Sequence, residues 1–336
     1  MFLYLGLAAF ELLLYAIYNE TKNIKIKNWL FIIACLSLFL VVGLRSEETG
    51  VDTIGYVNNF SFINRISWKN IPIEHPKDTG YYFFVKLIRT LTDSKTIFLL
   101  ITAFLSLFGI FDLIKRNTKS PILALFFYIT LANFNFIMTG IRQSIAMSIC
   151  MFATRYIQER KLIPFLLLIL LAAQFHHSAY IFLIMYFLGT RKINALNILI
   201  SIIATLAAFI SYEQLLNIAN ELLNYNYGVE HLDNGFIFFA ILLCILTLCI
   251  LTKDKWIASV KETVTMNSGI ICGIIWVFRL ISRTSERPSM YWLNTIPVIL
   301  PEALNSIEQP QTRKIAKLST IILSFIFFTY RQVAML

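Results

Sequence analysis

Residues 95–119 read KTIFLLITAFLSLFGIFDLIKRNTK: residues 95–114 carry only Lys95 and Asp112 as charges, and Lys115, Arg116 and Lys119 follow as a basic cluster. An apolar run of about 18 or more residues with few charges is long enough to cross the hydrocarbon core as a helix. A basic cluster at its end is the kind that holds a loop on the cytoplasmic side. The same two-part pattern recurs on both sides of this stretch. Apolar segments cover 1–18, 29–44, 121–139, 140–157, 162–176, 178–190, 195–211, 235–251, 264–283, 288–306 and 315–330. With 95–114 that makes twelve, and the fold class expected is all-α, a polytopic integral membrane protein with about 12 transmembrane helices forming a single domain over 1–336.

Composition agrees. The chain is 58% hydrophobic and 14% charged, with a mean hydropathy of +0.71, where a soluble domain carries roughly a quarter charged residues. Segment 1–18 lacks a basic start, contains Glu11 and ends without a small-residue cleavage site, so it reads as a retained span. A net charge of +10 would point to nucleic acid in a soluble protein, but here the charge sits in short loops. Alternate connections hold Lys22, Lys25 and Lys27; Lys115, Arg116 and Lys119; Arg155, Arg160 and Lys161; Arg191 and Lys192; Lys253, Lys255 and Lys261; and Arg313, Lys314 and Lys317. These 17 of the 29 basic residues fall on one side if every segment crosses; the charge rule makes that side cytoplasmic and puts both termini outside. No nucleic-acid partner is implied.

Two connections on the other side are long. Residues 45–94 contain turn signals at Gly50, Gly55, Pro72, Pro76 and Gly80, and an amphipathic run from Tyr81 to Leu91 expected at the membrane interface. Residues 212–234 carry Glu213, Glu221, Glu230 and Asp233 with no Lys or Arg, and Leu215, Leu216, Ile218, Leu222 and Leu223 recur at helical spacing. Tyr212, Tyr225, Tyr227 and Trp292 fit either sugar stacking or an interfacial aromatic belt. The five cysteines, at 35, 150, 244, 249 and 272, lie in apolar segments without metal-ligand spacing and read as small packing residues.

Charges that the topology does not need are the informative ones, because ionisable groups at membrane depth are kept where they pair or line a wet cavity. Arg45, closing the second segment, is followed by Asp52 and Tyr56. Arg45 fits a snorkelling helix-end arginine or a ligand contact, and Asp52 a turn-former or a base. The run Thr139-Gly140-Ile141-Arg142-Gln143-Ser144 joins a helix start to a guanidinium, a pairing that suits an anion as well as a simple interhelical turn. His176 and His177 lie in Gln174-Phe-His-His-Ser178; read as helical, they point about 100° apart, so one at most faces a given site. The late segment holds Arg279, Arg283, Glu286, Arg287 and Tyr291. Arg279 and Arg283, four apart, would share one helix face and repel, with Pro288 ending the helix just past Arg287. Ordinary lipid headgroups or a dedicated diphosphate would repay that repulsion.

Arg45, Arg142, Arg279, Arg283 and Arg287 all map to the side away from the basic loops. Convergent guanidinium forks are what a polyprenyl diphosphate at the headgroup plane requires, and they neutralise a diphosphate leaving group without a metal.

These motifs resemble the EpsG-like branch of polysaccharide polymerases, which is similar to the Wzy O-antigen polymerases and more distantly to the O-antigen ligases. The resemblance rests on Arg45 with Gly50-Val-Asp52-Thr and Tyr56, on Gly140-Ile-Arg142-Gln143-Ser144-Ile-Ala146, on Phe175-His176-x-Ser178, and on the arginine-rich segment through Tyr291, spanning about Leu44 to Ile307. It implies a GT-C-like membrane glycosyltransferase with no cofactor, acting at the outer face of the bacterial inner membrane on undecaprenyl-diphosphate-linked glycans as donor and acceptor, with a separate chain-length regulator as a partner. Arg142, Arg279, Arg283 and Arg287 would hold the diphosphate, and His176 or Asp52 would orient or deprotonate the acceptor hydroxyl. Gln143, His177, Tyr56, Glu286 and Tyr291 are further candidates. A flippase for the same lipid-linked sugar and a ligase are the competing readings; a flippase would need cations reaching both leaflets.

Overall fold

The computed structural model describes residues 2–132, 134–223 and 235–334; helices joined by loops and turns make up these residues, with no strand among them. Each apolar segment read from the sequence is built on helix. Phe2–Glu20, Ile24–Gly43 and Lys95–Asn117 are each long and apolar enough to cross a membrane, and Leu196–Ile210 with Tyr212–Leu222 passes the same test as a pair bent by 81°. Shorter apolar helices include Pro121–Leu131, Leu162–Phe175, Phe236–Leu251 and Ile296–Asn305.

Three expected segments are not single helices. Segment 121–139 divides into Pro121–Leu131 and Phe134–Thr139. Segment 178–190 becomes a 3-10 stretch, His177–Leu183, followed by Ile184–Leu188. Segment 288–306 divides into Glu286–Leu293 and Ile296–Asn305, because Pro297 has no N–H to offer the preceding turn and fits only where a helix begins.

Every residue of Pro121–Leu131 is buried. Around it pack Phe2–Glu20, Ile24–Gly43, Lys95–Asn117, Ile296–Asn305 and Pro310–Ala334. A second set centres on Ile141–Gln158, which lies against Lys95–Asn117, Leu162–Phe175 and Val260–Arg279. Gly109 permits the closest of these approaches: its N–H donates to Ser148 Oγ at 2.8 Å, and a Cβ there would stand 1.8 Å from the Ser148 carbonyl oxygen. Small residues at such crossings are how helices pack when lipid, not water, surrounds them. The outward faces are apolar, for example Ile163, Leu167 and Leu170 on one helix and Ile322, Leu323 and Ile326 on another. A soluble surface does not expose such continuous apolar area, and this is a membrane protein.

The chain's polar contacts gather at two opposite ends. At one, Asp112 holds Arg116 (2.7 Å) and Arg155 (2.5 Å), Gln158 bonds Arg116 and Asn117, and Glu302 takes Thr118 Oγ1 and the Lys119 N–H. Lys255 pairs with Glu308. This basic pole contains the loops that the sequence places together. Arg142 and Arg155 lie near opposite ends of Ile141–Gln158, a helix of 18 residues and so about 27 Å long, which carries the chain to the second pole.

Candidate functional site

At the second pole the stretch 45–94 folds back over the helix ends as Thr53–Phe62, Ile71–Glu74 and Thr79–Leu91. The amphipathic run read from the sequence is the last of these; Thr53–Phe62 was not anticipated. Gly80 lets Thr79–Leu91 touch the end of Leu162–Phe175, since a Cβ there would lie 2.4 Å from Gln174 Cβ and 3.0 Å from its carbonyl oxygen. That approach brings Asp78 to the histidines.

Asp78 organises the pole. It sits in the left-handed region, at φ 55° and ψ 36°, and is 2% exposed. Its Oδ2 accepts from Arg142 Nη1 at 2.9 Å and from His176 Nδ1 at 3.2 Å. Its Oδ1 accepts from the His177 backbone N–H at 2.9 Å and from His177 Nδ1 at 3.3 Å. A carboxylate has about four lone-pair sites, and all are engaged. Burial alone would raise this carboxyl, but the His176 hydrogen bond and charge, the Arg142 charge and the His177 N–H together hold it below the usual carboxylate range. An ionised Asp78 can only accept, so each imidazole donates an Nδ1 proton to it, and in its neutral form the imidazole then has Nε2 as the basic nitrogen. Nε2 of His176 bonds to none of the described residues.

Both histidines therefore face one carboxylate, where the helical reading allowed only one. Leu162–Phe175 ends at Phe175, His176 is extended (φ −156°, ψ 117°) and His177 opens the 3-10 stretch. The helix break turns side chains that would diverge by about 100° onto the same partner.

Arg142 lies 5.9 Å from the Tyr56 ring centroid and 6.0 Å from that of Tyr81, within the range of cation–π attraction, and its Nε has no partner. His75 stacks on Tyr82 at 3.6 Å; burial holds its imidazole below the ordinary value, and the Arg142 charge acts in the same direction. Two further bonds close the pole. Gln143 Nε2 donates to the Arg287 carbonyl at 2.8 Å, and Ser178 Oγ and Tyr291 OH share a hydrogen bond of 3.0 Å. Thr53 Oγ1 donates to the Met138 carbonyl, which joins the first motif to the second.

The profile of the EpsG family matches residues 28–335. The chain belongs to the EpsG family. No curated protein and no solved structure matches it.

In this EpsG chain, then, all four motifs meet at one end, but their arginines do not act as one set. Arg279 is 3% exposed, and its Nε donates to Glu286 at 2.8 Å. Its helix stops there, and Arg283 belongs to a separate 3-10 turn, Arg283–Ser285, with an exposed side chain. The shared helix face expected for the two arginines is absent. Pro288 does not end a helix; it sits in the first turn of Glu286–Leu293, where a missing N–H costs nothing. Arg287 is exposed. Arg45 is half-buried and donates Nη1 to the Val42 carbonyl, leaving Nε and Nη2 unpartnered. Asp52 is exposed and its carboxylate bonds to none of the described residues.

Of the aromatic candidates, Tyr212 bonds Ser285 at 2.9 Å and Trp292 is fully buried; both are occupied in packing. Tyr225, Tyr227, Glu230 and Asp233 lie outside the described residues. Among the described residues no three His, Cys, Asp or Glu side chains form a metal-ligand group. The sequence reading missed Asp78, which sits in a loop beside Pro76 and reads like any turn-forming aspartate; the signal that could have found it is Gly80, two residues on, whose role is a close approach.

Proposed function

We propose that this EpsG-family chain is a glycosyltransferase that polymerises lipid-diphosphate-linked oligosaccharides, with its site at the arginine–histidine pole. EpsG membership supports a polysaccharide polymerase. The observation that carries the reaction type is the Asp78–His176–Arg142 constellation, a base oriented by a buried carboxylate that also holds a guanidinium beside it.

In this reading His176 Nε2 takes the proton of the acceptor hydroxyl as its oxygen forms a bond to the anomeric carbon of the donor sugar. The bond from that carbon to the diphosphate oxygen breaks, and the leaving diphosphate carries the electron pair away. Arg142 neutralises the diphosphate through the nitrogens that Asp78 does not use, with Arg283, Arg287 and Arg45 as further contacts on an extended headgroup. Arg279 acts differently: with Glu286 it braces the turn that presents Arg283 and Arg287. Asp78 accepts the Nδ1 proton throughout and is a positioning residue, since its own lone pairs are filled. His176 is favoured over Asp52 as the base because its partner fixes its tautomer, whereas Asp52 contacts neither Arg142 nor a histidine.

The placement proposed is the bacterial inner membrane, with all twelve apolar segments in or entering the bilayer, basic pole inward and site outward, in a GT-C-like arrangement. The donor and acceptor are undecaprenyl-diphosphate glycans, and a chain-length regulator is a separate partner. A flippase would need cations along a route through the membrane, and at the inward pole Arg116 and Arg155 are committed to Asp112. Replacing His176 or Arg142 singly and examining the lipid-linked glycans of the cell tests the reading. Single repeat units accumulating on the outer surface support it; units stranded inside point to a flippase, and unchanged polymer length refutes the site.

A further inference from the structure

Away from the site, the helices Ala195–Ile210, Phe236–Leu251 and Val260–Arg279 enclose a groove of about 690 Å³, with Leu206, Phe239, Leu246, Ile270 and Val277 among its walls. Along Val260–Arg279 it runs from Asn267 to Val277, ten residues of helix and so about 15 Å. That is half of the roughly 30 Å hydrocarbon core, the depth of one leaflet. Its Asn267 end lies at the basic pole. There Lys192 and Ile193 also line a second pocket of about 350 Å³, whose lining mixes the apolar Ile257 and Val260 with Thr190, Lys253, Asp254 and Thr263. An apolar slot one leaflet deep thus meets, at Lys192 and Ile193, a smaller pocket that carries charged side chains.

Charge at the junction is unbalanced. Arg191 and Lys192 form no ion pair among the described residues, while Asp254 is already held by Lys253 at 2.7 Å. The neck is also built rigidly: Asn267 Nδ2 donates to the carbonyls of Leu188 (3.2 Å), Gly189 (2.8 Å) and Arg191 (2.8 Å), fixing the cationic turn against the helix that floors the groove.

We infer that this groove binds an anionic phospholipid, one acyl chain in the slot and the phosphate at Arg191 and Lys192. Depth decides the occupant: an acyl chain spans one leaflet, whereas a long polyprenyl chain overruns it. Uncompensated cations at a leaflet boundary select anionic headgroups. The site lies at the opposite end from Asp78 and does not depend on the proposed reaction.

The test is native mass spectrometry of the delipidated full-length protein titrated with phosphatidylglycerol, with phosphatidylcholine of the same chains, and with an undecaprenyl phosphate. Phosphatidylglycerol is expected to bind tightest, and raised salt to weaken it on the wild-type protein. The double variant Arg191→Gln, Lys192→Gln is expected to lose about 25-fold in phosphatidylglycerol affinity, about fivefold per cation, with phosphatidylcholine unaffected. Thr205→Phe, which fills the slot, is expected to weaken both phospholipids. Equal, salt-independent retention of the two phospholipids by the wild-type protein overturns the inference whether or not the variants fold, and tighter binding of the undecaprenyl phosphate overturns the identity of the occupant.

Discussion

Replacing Asp78 by Asn keeps the shape of the side chain and removes its charge. The four donors around Asp78 come from Arg142, His176 and His177. Asparagine can accept through one oxygen only, and its NH2 must then face either Arg142 and His176 or the two His177 donors. One imidazole is forced to move its proton to Nε2 or to swing away. Hydrogen bonds to charged groups contribute about 1.5–3 kcal/mol each; with the Arg142 side chain 31% exposed, solvent screens part of this, and a net loss of about 2–3 kcal/mol of stability is expected. The catalytic loss is larger, because a base in the wrong tautomer is inactive whatever its position: about 10²–10⁴ in rate, as for carboxylates that orient a catalytic histidine. Single-turnover elongation of a synthetic lipid-linked repeat unit by the purified variant measures the rate, and thermal unfolding measures the stability. A double-mutant cycle with His176→Gln separates positioning from general weakening, since residues acting as one unit give strongly non-additive losses. An Asp78→Asn enzyme at the wild-type rate, or losses that add, would refute the positioning role.

Further outcomes follow from the same geometry. Gly80→Ala drives a Cβ into Gln174 and is expected to cost about 1–3 kcal/mol, read as a lower unfolding temperature together with reduced activity. Arg279→Gln leaves Glu286 without its partner and is expected to destabilise by about 3 kcal/mol, whereas Arg283→Gln, at an exposed position, is expected to stay within about 0.5 kcal/mol while slowing elongation; equal melting of the two variants would contradict the division of the arginines. Because the Asp78 carboxyl is held below its unfolded value, its stabilising contribution is complete above about pH 4 and is lost as pH falls through the lower folded value. Asp78→Asn should therefore narrow the stability gap to wild type in acid and widen it toward neutrality, which unfolding measured across pH 3–7 would show.

Much of the fold was legible because lipid imposes one periodic demand. Apolar runs such as 95–114 announce themselves, and the basic loops sort to one pole as the charge pattern requires. What the sequence did not show were the interruptions. Segments 121–139 and 178–190 are as apolar as the unbroken ones, whereas 288–306 is less so, with Asn294, Glu302 and three prolines; hydropathy does not report where a backbone turns aside to place a side chain. The misreading of the two histidines and of Arg279 with Arg283 has that common origin: each assumed a continuous helix, and each pair lies at a helix end. The sequence did identify the motifs that meet, since Gln143 reaches Arg287 and Ser178 reaches Tyr291. It could not supply Asp78, whose role depends on the close approach that Gly80 allows between elements nearly a hundred residues apart.

The central claim is that the pole organised by Asp78 performs glycosyl transfer from a lipid diphosphate. The most direct measurement is to incubate the purified protein with a single synthetic lipid-linked repeat unit and resolve the products by length. Longer glycans, with one lipid diphosphate released for each glycosidic bond formed, both lost with His176→Gln, are the result predicted. Repeat units left unextended by an intact, folded protein, or elongation that persists in the His176→Gln variant, would contradict it.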